Sequence, residues 1–403
     1  MAEPRPRHYL GGMPHTDIAI IGAGPAGLAF ARSLSGTGLR VTLVERSPER
    51  AIAEPAFDGR EIALTLRSQR ILRGIGAWDR IPMEETSPLR EARVLDGHSP
   101  FALRFAPEGE ESLGRLVPNH LIRRALHRAV TEDTDAVLLA GRAVAGVEAG
   151  PAGARLRLED GEAVEARLVV AADTRFSEAR RRMGIGATVR DFRKTMLVAR
   201  VAHERPHGGV ATEWFGHGQT VAMLPLRGDV SSVVLTLDPH QIAALMAMEE
   251  GAFGAEVTRR YAGRLGAMRL AGTRHAYPLV ATYAHRFAAP RFALVGDAAV
   301  GMHPVTAHGF NFGLAGAHRL ARSVAAAVGR GRDPSDRAAL LAYESAHRRA
   351  TWPMFTATNA IATLYTDDTV PGRLLRTAVM RAGGALAPVR RAITSRLMEA
   401  SPA

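Results

Sequence analysis

The fold is decided by residues 17–45, DIAIIGAGPAGLAFARSLSGTGLRVTLVE. Asp17 to Ile21 is a short apolar, β-rich run that leads directly into Gly22-Ala23-Gly24-Pro25-Ala26-Gly27. A helix-compatible stretch follows to about Ser35, and a second strand, Val41-Thr42-Leu43-Val44, ends on Glu45. In such a unit the first glycine permits a tight turn, the second lets the backbone approach a diphosphate, and the third lets the helix pack close to the strand. Gly22, Gly24 and Gly27 occupy those positions. Pro25 suits the first helical turn, where its missing N–H costs nothing. The open amides and the positive end of the helix dipole attract a diphosphate. Glu45, eighteen residues after Gly27, is placed to accept both hydroxyls of an adenosine ribose, and its charge repels a 2′-phosphate. The segment therefore predicts an α/β, Rossmann-like domain for FAD or NAD rather than NADP.

The choice between those two rests on residues far downstream. Leu168-Val169-Val170-Ala171-Ala172-Asp173 is another buried-type strand ending in an acid, and Phe292 to Val295 is a third, running into Gly296-Asp297. A nicotinamide dehydrogenase has no need of a second acid at that distance. FAD has a ribityl chain whose hydroxyls need an acceptor, and Asp297 suits that task. Gly309 to Gly313 reads as the start of a further helix, continuing through Leu314, Ala315, Ala317 and Leu320. Its N-terminus, aimed at the pyrimidine side of the isoalloxazine, would stabilise the negative charge of reduced flavin by ~0.3–2 kcal/mol. Gly309, Phe310 and Asn311 thus join the cofactor-binding candidates, with Ala26, Arg46, Asp173 and Gly296 beside the earlier ones. His303 and His308 lie five apart with Pro304 between them, which is not the same-face spacing of helical metal pairs. Only Asp297 stands near enough to complete a ligand set, so no metal is expected. The two histidines are either polar wall residues or participants in the chemistry.

Composition narrows the classes further. At 403 residues the chain is too long for one compact core, so two packed domains are expected. The absence of cysteine removes disulfides, thiolate nucleophiles, iron–sulfur clusters and cysteine-ligated zinc. The formal charge is +12, yet the basic residues are spread along the chain and Lys194 is the single lysine. With only 5% aromatic residues there is no stacking platform, and nucleic acid is not an expected partner. No segment reaches the ~18 uninterrupted apolar residues of a membrane span. MAEPRPRHYLGGMPH has no apolar signal region and reads as a disordered leader, or as a start codon upstream of Met13. The expected localisation is cytoplasmic.

Taken together, G-A-G-P-A-G with Glu45, D-T-R-F-S-E-A-R at 173–180 and G-D-A-A-x-x-x-H-P at 296–304 resemble the three fingerprints of FAD-dependent aromatic hydroxylases of the para-hydroxybenzoate hydroxylase fold. D-G-R-E-I-A-L (Asp58 to Leu64) and Y-P-L (Tyr277 to Leu279) resemble the ubiquinone-biosynthesis branch, most of all the bacterial 5-demethoxyubiquinol hydroxylases. The resemblance extends from about Asp17 to about Asp368. By position, Arg60 matches the arginine that meets the FAD diphosphate, and Asn119 stands where the family usually has a glutamine contacting FAD. Asp297 matches the ribityl ligand, and Pro304 lines the flavin where oxygen reacts. The chain departs from the family at Thr174, usually glycine, at Val300, usually histidine, and at Ala307-His308-Gly309, usually Gly-Gln-Gly.

The resemblance implies hydroxylation of an electron-rich ring through a flavin hydroperoxide, with molecular oxygen as co-substrate and NADH, NADPH or a partner reductase as electron donor. It also implies a closed apolar pocket, for which Met223, Leu224, Pro225 and Leu226 are wall candidates. A phenol attacks better as phenolate, so a base is expected. His308 is the first candidate and His303 the second. A glutathione-reductase-type FAD domain is expected over 13–80, 115–185 and 286–340, with a sheet-rich substrate domain over 81–114 and 186–285 and a helical region over 341–403. Arg373, Arg376, Arg381, Arg390, Arg391 and Arg396, beside Leu374, Leu375, Val379, Ile393 and Leu397, could form a basic, amphipathic contact to an anionic membrane face where a polyprenylated substrate resides. A core-packed helix with a solvated basic face is the alternative. A ubiquinone-biosynthesis complex is a further expected partner. Three other readings remain open: a hydroxylase for a soluble aromatic or polyketide substrate, a flavin dehydrogenase or reductase acting on quinones, and a non-catalytic flavin-binding subunit.

Overall fold

The computed structural model describes residues 16–366 other than 98, 100, 108–111, 152 and 217, together with 369, 372 and 376. The expected N-terminal leader lies outside the described residues. A six-stranded sheet has Ile18–Ile21 near its middle, paired in parallel with Val41–Glu45 on one side and Leu168–Ala171 on the other. Val137–Ala140 and Phe292–Leu294 extend it in parallel, and Ala288–Ala289 closes one edge antiparallel. Every residue of Ile18–Ile21 and Leu168–Ala171 is buried. Parallel strands covered on both faces must be apolar throughout, which is why these runs show no alternation. Helix Pro25–Ser33 packs against both Asn119–Asp133 and Gly309–Val328. A three-stranded antiparallel sheet, Val144–Ala149, Ala154–Leu158 and Ala163–Ala166, contributes Leu156, Leu158 and Val164 to the same core.

The second large element is an eight-stranded sheet built on two 17-residue strands, Ala187–His203 and Met268–Ala284. These pair antiparallel from Ala187 opposite Ala284 to His203 opposite Met268, with register shifts at Asp191/Thr195 and Ala199/Val201. At one end Ala281, Tyr283 and Ala284 belong to the core of the parallel sheet. At the other, Leu197, Ala199, Val201 and Met268 belong to a separate core with Trp214, Val233 and Phe253. The strands are thus common to two cores, and they hold the two sheets in a defined relation. Val230–Leu237, Gln219–Pro225, Val210–Gly216, Glu91–Asp96 and Ala102–Phe105 complete the sheet in that order, and Val300–Gly301 adds at the opposite edge. A smaller sheet joins Glu61–Leu64, Gly114–Pro118 and Ser87–Leu89.

The C-terminal helix Arg337–Thr366 packs on Gly309–Val328 and places Trp352 and Phe355 against Tyr283, with ring centroids 5.0 and 4.9 Å away. Among the described residues no helix is long and apolar enough to cross a membrane. Of the arginines expected on a basic C-terminal face, Arg376 is instead buried, 1% exposed and ion-paired with Asp96 at 2.7 Å. A cation buried beside a carboxylate cannot also face anionic lipid. The other members of that expected face, Arg373, Arg381, Arg390, Arg391 and Arg396 with their apolar neighbours, lie outside the described residues.

The tightest approach in the parallel layer is at Gly27, where a β-carbon would collide with the Gly22 carbonyl oxygen and lie 3.3 Å from the Ala172 β-carbon. The obstacle is backbone and cannot swing away. Gly27→Ala is therefore expected to lose about 1–3 kcal/mol, measured as a lowered urea midpoint at fixed FAD concentration.

Candidate functional site

The glycine turn opens at the carboxyl end of Ile18–Ile21. Gly22 has φ of +101°, and a β-carbon there would lie 2.7 Å from the Ala172 carbonyl oxygen. Gly24 is different in kind: nothing lies within 4 Å of its would-be β-carbon, so its backbone faces open cavity. Pro25 begins the helix. At the end of the neighbouring strand, Glu45 accepts hydrogen bonds from the amides of Ala23 at 2.8 Å and Ser47 at 2.9 Å, one on each carboxylate oxygen. These bonds fix the carboxylate beside the glycine turn and leave it lone pairs for two hydroxyls. Arg46 and Arg142 line the same end of the cavity.

Arg60 is held by Asp58, its guanidinium donating to Oδ2 at 2.6 and 3.0 Å. Asn119 donates to the same oxygen at 2.7 Å, and the Tyr277 hydroxyl donates to the Asp58 carbonyl at 2.6 Å. Burial alone would raise the Asp58 pKa, but the hydrogen bonds and charge of Arg60, aided by Asn119, hold it below the usual carboxylate range. Asn119 and Arg60 line the cavity, with Asp58 behind them holding both side chains. Asp58 and Tyr277 were not singled out from the sequence, although both lie in the D-G-R-E-I-A-L and Y-P-L runs. The spacing Asp-Gly-Arg carried the signal: Gly59, with φ of +75°, turns the chain so that residues 58 and 60 meet.

The downstream acids arrive on two further strand ends. Asp297 receives a hydrogen bond from Arg175 at 3.1 Å on Oδ2, and Arg175 is itself anchored on the Val280 carbonyl at 2.8 Å. Gly296 has φ of +62°, and a β-carbon there would meet that of Ala26 at 2.7 Å, so the two sequence-distant motifs touch. Asp173 lines the cavity with a buried Oδ1 that has no hydrogen-bond partner among the described residues, and burial raises its pKa despite a hydrogen bond from Ser177. An orphaned buried acceptor on a cavity wall is the feature a polar ligand would satisfy.

His303 accepts from the Val305 amide on Nδ1 at 3.2 Å and stands edge-on to Phe192 at 4.5 Å. Burial, then the charges of Arg175 and Arg190, push its pKa down to about 4, so it stays neutral at physiological pH. Pro304 starts a short turn that ends at Ala307 in the left-handed region, φ +53°. Glycine is relaxed in that conformation, which explains the family preference from which this chain departs. His308 is 3% exposed, caps Gly309–Val328 and lies 5.6 Å from the Phe312 ring. The first intrahelical bond runs from the Phe312 amide to the His308 carbonyl, so the amides of Gly309, Phe310 and Asn311 precede the helical ladder. The Asn311 side chain is committed to protein: it donates to the carbonyls of Ala63 at 2.9 Å and Ala307 at 3.0 Å and accepts from the Thr65 amide at 3.1 Å. It clamps the helix start to strand Glu61–Leu64, while Gly309 and Phe310 line the cavity.

The glycine turn, Glu45, Arg60, Asn119, Asp173, Asp297 and both histidines border one cavity of about 2500 Å³, well above the ~300–1,000 Å³ of a single small-molecule site. Its far wall is one face of the eight-stranded sheet. The period of two assigns Thr220, Ala222 and Leu224 to the cavity and Val221 and Met223 to the core behind. Of the four expected wall residues, only Leu224 therefore lines the cavity; Met223 is core, and Pro225 and Leu226 are not among the lining residues. A run of consecutive residues on a strand cannot share one face. Phe192, Lys194, Met196, Val198, Glu213 and Phe215 also belong to this wall, and Lys194 is ion-paired with Asp238 at 2.8 Å. Met354, Ala357, Ala360, Ile361 and Leu364 of the C-terminal helix continue the lining. Among the described residues no three His, Asp or Glu groups are placed to hold a metal ion.

A model of the FAD-binding-domain family matches residues 15–358. The chain is 42% identical over 389 residues to the ubiquinone hydroxylase UbiM of Neisseria meningitidis, covering 95% of this chain and 84% of that one. It is 36% identical over 376 residues to the ubiquinone hydroxylase UbiL of Rhodospirillum rubrum, covering 93% and 87%. Among solved structures, p-nitrophenol 4-monooxygenase PnpA from Pseudomonas putida aligns with a TM-score of 0.76 at 17% identity, covering 96% of this chain and 99% of that one; at that identity the likeness speaks for the fold alone. The chain belongs to the FAD-binding-domain family of flavin monooxygenases. The residues present fit FAD, because the open face at Gly24, the fixed carboxylate of Glu45, the Asp58–Arg60 pair and Asp297 follow one another along a single cavity.

Gly24→Ala separates a ligand-facing glycine from a packing one. The variant is expected to keep the apo-protein stability within ~1 kcal/mol and to weaken FAD binding about tenfold or more, because the methyl group occupies space a diphosphate needs. Urea denaturation of the apo-protein and a fluorescence titration with FAD measure the two effects.

Proposed function

We propose that this protein hydroxylates the aromatic ring of a ubiquinone precursor, using FAD and molecular oxygen. The observation that carries the reading is the continuity of the cavity from the glycine turn, past Pro304, to an apolar sheet face and on along the C-terminal helix. A cofactor and a ring with an apolar tail need such a volume, and the names of the two ubiquinone hydroxylase relatives agree with that substrate class. When bound and reduced, FAD supplies the electrons and activates the oxygen atom that enters the ring.

The chain's own residues have five tasks. Gly22, Gly24, Pro25, Ala26 and Gly27 would receive the diphosphate on the helix N-terminus, with Arg60 as its counter-charge and Glu45 on the adenosine ribose. Asp297, oriented by Arg175, would accept from the ribityl hydroxyls through the Oδ1 that Arg175 leaves open. Met196, Val198, Ala222, Leu224 and Phe215 would exclude water from the ring site, which keeps activated oxygen from being lost as hydrogen peroxide. Met354, Ala357, Ile361 and Leu364 would accommodate the tail. Electrons come from NADH, NADPH or a partner reductase, and reduction rates with each separate the three. His308, at the helix start beside Gly309, is our candidate for proton movement on the flavin side. His303 suits this less, since its Nδ1 is engaged and its pKa is depressed.

Two measurements check the reading. The FAD-loaded protein is reduced without oxygen, then mixed with oxygen and prenylated phenols. We expect a short-lived absorbance distinct from oxidised and reduced flavin, with hydroxylated product. Neither signal with any phenol overturns the monooxygenase reading. His308→Gln is expected to lower the ratio of product to oxygen consumed several-fold, and an unchanged ratio and pH profile removes the role given to His308.

A further inference from the structure

Glu213 stands on the cavity wall and has no task in this scheme. Strand registers place Glu213 in a transverse row, Leu103–Val94–Glu213–Ala222–Val234–Val198. Directly paired residues project from the same face, and all six line the cavity. Two residues along its strand, Phe215 packs on Val305, the neighbour of Pro304. Two strand residues span ~7 Å, and Glu213 lines the same cavity as that turn, two strand positions from the residue that packs on it.

No hydrogen bond or ion pair reaches the Glu213 side chain from the described residues. The charged groups on the elements around it are committed elsewhere. Arg93 pairs with Glu91 at 2.9 Å, Arg104 leans toward the same Glu91 at 3.9 Å, and Asp96 pairs with Arg376. Lys194 pairs with Asp238, Arg175 with Asp297, and His303 is tied to the Val305 amide. The strands Gln219–Pro225 and Val230–Leu237 and the lining residues of the C-terminal helix carry no charge. An unpartnered carboxyl in an aliphatic wall weakens the fold, so a structural role does not account for it.

We propose that Glu213 is the general base of the hydroxylation, accepting the proton of the substrate's ring hydroxyl. The substrate O–H bond breaks as a carboxyl O–H bond forms, and the electron pair left on the ring oxygen makes the ring a better nucleophile toward activated oxygen. After oxygen transfer the ring carbon gives up its proton, which leaves with the second oxygen atom as water, and the proton on Glu213 returns to the product oxygen. The role rests on the monooxygenase reading above. Burial alone raises the Glu213 pKa to about 8, closer to a phenol's than an ordinary glutamate's, which suits proton exchange between them.

The test uses FAD-loaded wild type, Glu213→Gln and Glu213→Asp. The probes are a phenol with a short prenyl chain and its analogue bearing several ring fluorines and one open ring position, which is already ionised at neutral pH. In wild type the turnover of the first phenol should rise with pH through a limb near 8. Glu213→Gln should lose that limb and about 100-fold or more of kcat, with FAD content and the rate of flavin reduction unchanged. The ionised analogue needs no base, so the variant should process it within about threefold of wild type. Glu213→Asp, which keeps a carboxyl, should retain a pH limb. Glu213→Gln within about twofold of wild type on the first phenol, with the limb intact, overturns the base role and leaves the hydroxylase reading standing. Wild type forming product from neither phenol overturns both.

Discussion

Two helix N-termini converge on one end of the cavity because the positions between them carry almost no side chain. A β-carbon on Gly296 would meet that of Ala26 at 2.7 Å, and one on Gly313 would lie 3.4 Å from the Gly296 α-carbon. Pro25–Ser33 and Gly309–Val328 can therefore pack closely while each opens toward the same space. Their dipoles add a positive potential there without a cluster of mobile cations, which suits a diphosphate and a reduced, anionic flavin. The acids that flank this end, Glu45 and Asp297, are each held by other groups before any ligand arrives. Pre-positioned acceptors reduce the ordering cost of binding.

The second constraint is the shared pair of long strands. Because Ala187–His203 and Met268–Ala284 belong to both cores, the eight-stranded sheet presents a fixed face to the cofactor end. Strand alternation then sorts its residues: Val221, Met223, Val233 and Leu235 fill the core behind, while Ala222, Leu224 and Val234 form a dry wall in front. In such a wall a carboxyl without a partner is desolvated, and its proton affinity rises. Glu213 meets that condition with no partner among the described residues, whereas the Glu61 carboxyl, which also borders the cavity and whose pKa burial likewise raises, has Arg200 at 2.7 Å as a counter-charge.

Much of the FAD end was legible because its chemistry is local. A strand, a glycine turn, a helix and a terminal acid follow one another within residues 17–45, and each step has a backbone reason. Gly296-Asp297 was legible for the same cause, a buried strand ending in an acid. Asn119 and Asn311 were found as residues but not for their contacts. Both turn their side chains to protein, Asn119 to Asp58 and Asn311 to Ala63, Ala307 and Thr65, and a partner 61 or 246 positions away leaves no local trace.

By itself the sequence determined the parallel layer, the glycine turn at its strand end, the order of the two acids and the small residues that let the helices close. These follow from backbone conformation and short-range hydrophobic pattern, which neighbouring residues specify. Only the tertiary structure decided which face of each substrate-side strand meets the cavity, that His303 is desolvated into neutrality, that Arg376 is buried against Asp96, and that Glu213 stands without a partner among the described residues. Burial and pairing are properties of the assembled surroundings. A strand's own period of two says which residues share a face, and the packing of the second core against the other side decides what that face sees.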